Sequence, residues 1–138
     1  MKRNIIISKI YDFDIEDVWN AITDKKAMSE WLMPCDIVPK VGSKFQFKTK
    51  PTIGFDGIIN CEVLEVVEKQ ILSFSWNGGP LKGTIVTFKL TDLNGKTKLD
   101  FEHKGFNGLL NRLVVRKILS NGWKNKILTI LLPKYLSK

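Results

Sequence analysis

The run Val86-Thr87-Phe88-Lys89-Leu90-Thr91-Asp92-Leu93-Asn94-Gly95-Lys96-Thr97-Lys98-Leu99-Asp100-Phe101-Glu102-His103-Lys104 decides the fold. Val86, Phe88 and Leu90 share one side of the first arm. Leu99, Phe101 and His103 share one side of the second, against Lys98, Asp100, Glu102 and Lys104 on the other. A period of two marks a strand with one dry face and one wet face. Asn94-Gly95 is the dipeptide that most readily accepts two positive φ angles. The spacing therefore predicts a two-residue type I′ turn joining antiparallel strands over residues 83–93 and 96–104. His103, the one histidine of the chain, then points inward with Phe101 and Leu99.

Upstream the same period recurs. Leu72, Phe74 and Trp76 oppose Ser73 and Ser75 in a strand over residues 71–76, which Asn77-Gly78-Gly79-Pro80 interrupts. Residues 57–67 form a longer strand. Phe45 and Phe47 alternate with Lys44, Gln46 and Lys48 in a strand opened by Gly42. At the N-terminus, residues 4–11 place Ile5, Ile7 and Tyr11 on one side and Ile6, Ser8 and Ile10 on the other, a first strand rich in β-branched residues.

Between the first strand and the Phe45 strand the period changes. Ile15, Val18, Trp19 and Ile22 stand at i, i+3, i+4 and i+7 behind an acidic start, which predicts a short amphipathic helix. Thr23-Asp24 caps a second helix carrying Ala27, Met28 and Trp31, and Pro34 stops it by lacking a backbone donor.

Downstream of Gly105 the pattern is helical. Trp123, Ile127, Ile130 and Leu131 form one face at 100° per residue, with Pro133 expected to end or kink the helix. Leu109, Leu110, Leu113, Val114 and Ile118 follow another phase, which predicts a separate short helix closing near Ser120-Asn121-Gly122. Gly122 then marks either a helix boundary or a close backbone approach.

The order is strand, two short helices, five antiparallel strands and a long C-terminal helix: an α+β chain of helix-grip type, with a six-stranded curved antiparallel sheet. A sheet with one wet face must cover the other, and a single helix covers only part of a curved inner face, so an apolar cavity is expected beneath it. Pockets of this kind are mostly apolar with a few polar groups that orient the ligand. Trp31, Phe45, Phe47, Trp76, Phe88, Phe101, His103 and Trp123 are the expected wall. Ordinary core packing is the competing reading for each aromatic, and a hydrogen-bonded structural role is the competing reading for His103. Asp56 belongs to the turn Gly54-Phe55-Asp56-Gly57, and Asn60 could add polarity at a pocket mouth.

The 138 residues fit one domain, 1–138, and 43% hydrophobic with 26% charged residues is a globular composition with no long disordered tail. The basic start Met1-Lys2-Arg3 precedes an apolar run too short for an export signal, and residues 127–132 are too few to cross a bilayer, so a cytoplasmic protein without a membrane span is expected. Cys35 and Cys61 form no Cys-x-x-Cys pair, which leaves two reduced thiols and, with a single histidine, no metal site and no cofactor. The formal charge of +8 favours anions, yet the lysines are dispersed and lack the aromatic interleaving of a specific nucleic-acid surface. No nucleophile elbow, phosphate loop or metal-binding helix occurs, and His103 has no visible acid or base partner.

A family likeness runs through these blocks. Val18-Trp19 with Ile22-Thr23-Asp24 and Trp31 resembles the opening of the domain found in activators of the heat-shock chaperone ATPase. Val41-Gly42-Ser43-Lys44-Phe45-Gln46-Phe47, residues 57–66, Leu72-Ser73-Phe74-Ser75-Trp76, residues 97–106 and Gly122-Trp123 are similar to its successive blocks in order and spacing. The chain is identified on this basis as resembling the bacterial homologues of that domain, within the START-like, or SRPBCC, superfamily. The resemblance implies the helix-grip fold, shared with the birch-pollen allergen. It implies binding of lipids, polyketides or other apolar molecules, cyclisation of polyketides in some members, and chaperone stimulation in others. Residues 107–119 depart from the family in being apolar and basic, which suits a lid or a dimer surface.

Three functions stay open. The first is a binder of a small hydrophobic, lipid- or polyketide-like ligand between sheet and helix. The second is a co-chaperone-like interaction module, with a protein partner or a homodimer, for which Arg112, Arg116 and Lys117 are the charged candidates. The third is a cyclase or hydrolase using His103 as acid or base.

Overall fold

The computed structural model describes residues 4–138, apart from the side chain of Arg112. Met1, Lys2 and Arg3, on which the reading of the basic start rests, lie outside the described residues.

The hairpin forms as its sequence requires. Asn94 and Gly95 take φ of 59° and 97°, the two left-handed positions of a type I′ turn, and the Leu93 amide donates to the Lys96 carbonyl at 2.9 Å. The strands it joins, β5 (Leu81–Asp92) and β6 (Thr97–Lys104), set Val86 opposite His103, Phe88 opposite Phe101 and Leu90 opposite Leu99. On β6 every second side chain from Thr97 to His103 is buried.

β1 (Ile5–Tyr11) pairs with the free edge of β6 and buries Ile5, Ile7 and Tyr11 while Ile6, Ser8 and Ile10 face out. β4 (Ile71–Gly78), β3 (Ile58–Val67) and β2 (Lys44–Lys48) extend the sheet on the other side of β5. The order is β1-β6-β5-β4-β3-β2, antiparallel at every junction. The register slips between Val63 and Glu65 and between Trp76 and Gly78, and such bulges bend a sheet. The stretch 77–80, expected as a break, is tighter than that: Gly78 pairs with Leu81 and only Gly79-Pro80 forms the turn.

α1 (Ile15–Thr23) and α2 (Lys25–Trp31) carry the chain from β1 to the opposite edge of the sheet. α1 buries Val18, Trp19 and Ile22. The Asp24 carboxylate accepts from the Ala27 amide at 2.9 Å, capping α2, which ends before Pro34. The Trp31 indole donates to the Ala21 carbonyl at 2.7 Å and ties the two helices together.

The C-terminal segment corrects four expectations. Residues 109–136 form one continuous helix, not two, and Gly122 sits within it at φ −62°, ψ −51°. A Cβ at Gly122 would meet nothing within 4 Å, so the glycine marks neither a boundary nor a close approach. The helix is wound wider than an α-helix over Asn111–Val115 and Gly122–Leu131, where the bonding is i to i+5. The wider turn moves the buried stripe from a spacing of three and four to Trp123, Leu128 and Leu132. Ile130, expected inside, is exposed, and Ile127 and Leu131 are half-buried. Pro133 does not end the helix, which runs on through Leu132–Leu136. The proline lies in the first turn of that closing α segment, where the i to i−4 ladder is already interrupted and a missing donor costs least.

None of the described helices is long and apolar enough to cross a membrane.

Candidate functional site

The inner face of the sheet gathers all eight residues expected at the cavity wall. Each is buried: Phe45 and Phe47 from β2, Trp76 from β4, Phe88 from β5, Phe101 and His103 from β6, Trp31 from α2 and Trp123 from the C-terminal helix. Their rings run in contact across the interior. Phe45 lies 5.4 Å from Phe47, Phe47 5.6 Å from Trp76, Trp76 5.3 Å from His103, and Trp123 4.5 Å from Phe101, centroid to centroid. Trp31 meets Phe88 edge-on at 6.5 Å. Offset and edge-on pairs of this kind add to the stabilisation that burial gives.

The polar end of this interior is built on His103. Its Nε2 lies 3.0 Å from the Thr84 hydroxyl, and that hydroxyl donates its own proton to the Trp76 carbonyl at 2.7 Å. Thr84 therefore accepts from the ring, which puts the imidazole proton on Nε2 and leaves Nδ1 as a bare acceptor. Nδ1 has no hydrogen-bond partner among the described residues, and neither has the Trp123 indole Nε1–H. The two rings stand 6.4 Å apart, edge to face, with Trp76 and Phe106 beside the imidazole. Burial lowers the His103 pKa to about 3, because a charged imidazolium would lose its hydration there. The ring is neutral at physiological pH. A third buried atom, Asn111 Oδ1, also lacks a partner among the described residues, while the Asn111 amide donates to the Pro80 carbonyl at 2.9 Å.

Unpaired buried polar atoms each cost about 1–3 kcal/mol, and folded proteins hold few. An orphan acceptor and an orphan donor on neighbouring rings can together engage one hydroxyl or water. They form no acid and base pair.

Other expected polar residues lie elsewhere. The Asp56 carboxylate accepts from the Ile58 amide at 3.0 Å and closes its own turn. Asn60 is on the exposed face of β3, where its side-chain oxygen accepts from Gln46 at 2.8 Å. Cys35 and Cys61 are free thiols, and burial pushes both pKa values up.

Four residues of the interior were not among the expected wall. Phe74 packs 5.2 Å from Phe45, and its alternation with Leu72 and Trp76 was sufficient to place it. Thr84 continues the inward series of Val86, Phe88 and Leu90, and that parity was its signal. Phe106, 4.8 Å from His103, and Asn111 follow the bend at Gly105. There φ is +92° and a Cβ would lie 3.2 Å from the Gly83 carbonyl, so the alternation stops and no local pattern points to them.

A curved antiparallel sheet closed by a C-terminal helix over an aromatic interior defines the helix-grip class of α+β proteins. Within it, the chain belongs to the family described as Activator of Hsp90 ATPase homolog 1-like protein, whose model matches residues 12–131. A Mesorhizobium loti protein, MLL2253, has a similar structure at 27% identity and a TM-score of 0.84, over 98% of this chain and 97% of that one. An HSP90 activator from Plasmodium falciparum, PFC0360w, is similar at 22% identity and a TM-score of 0.73, over 92% and 91%. The Aha1 dimer from Colwellia psychrerythraea is similar at 16% identity and a TM-score of 0.76, over 94% of each chain. No curated protein matches the chain significantly.

Proposed function

We propose that this protein binds a small, mainly apolar molecule carrying one polar group, held between the sheet and the C-terminal helix. The supporting observation is the pair of unsatisfied atoms, His103 Nδ1 and Trp123 Nε1, set among buried rings. A hydroxyl on the ligand donates to Nδ1 and accepts from the indole N–H, while its hydrocarbon part rests on Phe101, Phe106 and Trp76. The protein's own rings fill much of the interior, so the ligand enters by displacing the first half of the C-terminal helix, which buries little of its own apolar surface. A neutral imidazole with its pKa near 3 is a weak base, which favours binding over acid–base catalysis. The free thiols suit a reducing cytoplasm as the place of action.

The test is native mass spectrometry of protein purified from its own cells, followed by organic extraction. A stoichiometric apolar molecule with a hydroxyl or carbonyl is expected, retained roughly ten-fold more weakly by His103→Leu and Trp123→Phe. An empty protein, or equal retention by both variants, overturns the reading and shifts weight to an interaction module.

A further inference from the structure

We propose that the first half of the C-terminal helix, with the edge strand β1 beside it, docks on an anionic lipid bilayer. All 14 acidic residues of the chain precede residue 103, as do 14 of its 22 basic residues. Residues 1–102 are therefore balanced, and the whole formal charge of +8 is carried by residues 103–138, which contain Lys104, Arg112, Arg116, Lys117, Lys124, Lys126, Lys134 and Lys138 and no carboxylate side chain. The lysines that look dispersed along the sequence thus leave one end of the chain uncompensated.

The same helix turns its apolar side chains outward. Leu109, Leu110, Leu113, Val114 and Ile118 are between 46% and 64% exposed. Contiguous exposed apolar surface of this kind marks an interaction site. Next to it, Lys9, Arg116 and Lys124 line one concavity between β1 and the helix, together with Ser8 and Ser120. The Ser8 hydroxyl is donated to Asp100. Asp100 and Glu102, the carboxylates on the neighbouring outer face of β6, pair with Lys98 and Lys104 at 3.9 Å.

Leucines flanked by cations on one helix are the pattern of a segment lying in a membrane interface. The apolar side chains sink below the headgroups and the cations meet anionic lipid. A second copy seated face to face would bring like charges together, which opposes a two-fold contact on this surface. The concavity of Lys9, Arg116 and Lys124 is placed to receive a lipid phosphate.

Co-sedimentation with vesicles of phosphatidylcholine alone, and of phosphatidylcholine mixed with phosphatidylglycerol, tests this on the full chain. Binding is expected only to the mixed vesicles, with release at high salt. It should fall about five-fold for Lys117→Gln and again for Lys124→Gln, and at least about ten-fold for the pair Leu109→Ser and Leu113→Ser. These side chains are exposed, so circular dichroism should show the variants folded. No binding to the mixed vesicles, or binding unaffected by both sets of variants, overturns the proposal. So does a dimer, or capture of an acidic protein, that Leu113→Ser abolishes in the absence of vesicle binding. Vesicle binding is read without any interior ligand, so its failure is distinguishable from failure of the site at His103 and Trp123.

Discussion

The two halves of the C-terminal helix are both rich in apolar residues and are treated in opposite ways. Residues 122–136 bury Trp123, Leu128 and Leu132 completely. In residues 109–121 no described side chain is fully buried, and five large apolar ones face out. The difference lies in what each half has beneath it. The second half rests on the sheet, α1 and α2, and the Tyr11 hydroxyl donates to the Leu128 carbonyl at 2.7 Å. The first half lays only the half-buried Val115 and Leu119 against the core and is held by Asn111 on the Pro80 carbonyl. Apolar content makes both stretches helical candidates, but only a facing surface decides which of them joins the core.

The sharpest contrast is between Leu128 and Leu113. Leu128→Ala should lower unfolding stability by about 2–5 kcal/mol, the cost of lost burial plus a cavity, whereas Leu113→Ala should stay within about 0.5 kcal/mol. Urea denaturation of the two variants measures both, and equal losses would mean that Leu113 itself is packed within the chain. A smaller effect is expected at the tie beneath the second half. Tyr11→Phe keeps the ring and removes only the donor to Leu128, which should cost about 1 kcal/mol. No loss would mean that the carbonyl finds another donor, and a much larger one that the hydroxyl positions the whole segment.

The sheet was legible because its signals are local. Alternation at Phe45-Gln46-Phe47, at Leu72 to Trp76 and at Leu99 to His103 placed every inward residue on the correct face, and Asn94-Gly95 fixed the hairpin register. The expected six strands and two short helices are all present. The helix was less legible. A face drawn at 100° per residue presumes α winding, and the wider turn over Gly122–Leu131 replaces Ile130 with Leu128. The phase change near residue 120 is not a helix end but an apolar face that turns from outside to inside along one rod. Of the polar end of the interior, His103 was readable from strand parity, but its link to Thr84 joins residues 19 apart across a strand pair and needs the register to be seen. The orphaned indole of Trp123 has no sequence signal at all, because a buried tryptophan normally finds an acceptor.

The account rests on His103 being a neutral ring with its proton on Nε2 and with Nδ1 unpartnered among the described residues, 6.4 Å from the ring of Trp123. Nitrogen NMR of the His103 ring across a pH series reads both properties at once. The structure predicts the Nε2–H tautomer, unchanged on acidification until the pH approaches about 3. A titration midpoint near the ordinary value of about 6.5, or the proton on Nδ1, would contradict it, since the ring would then be either hydrated or already satisfied and would have nothing to offer a ligand.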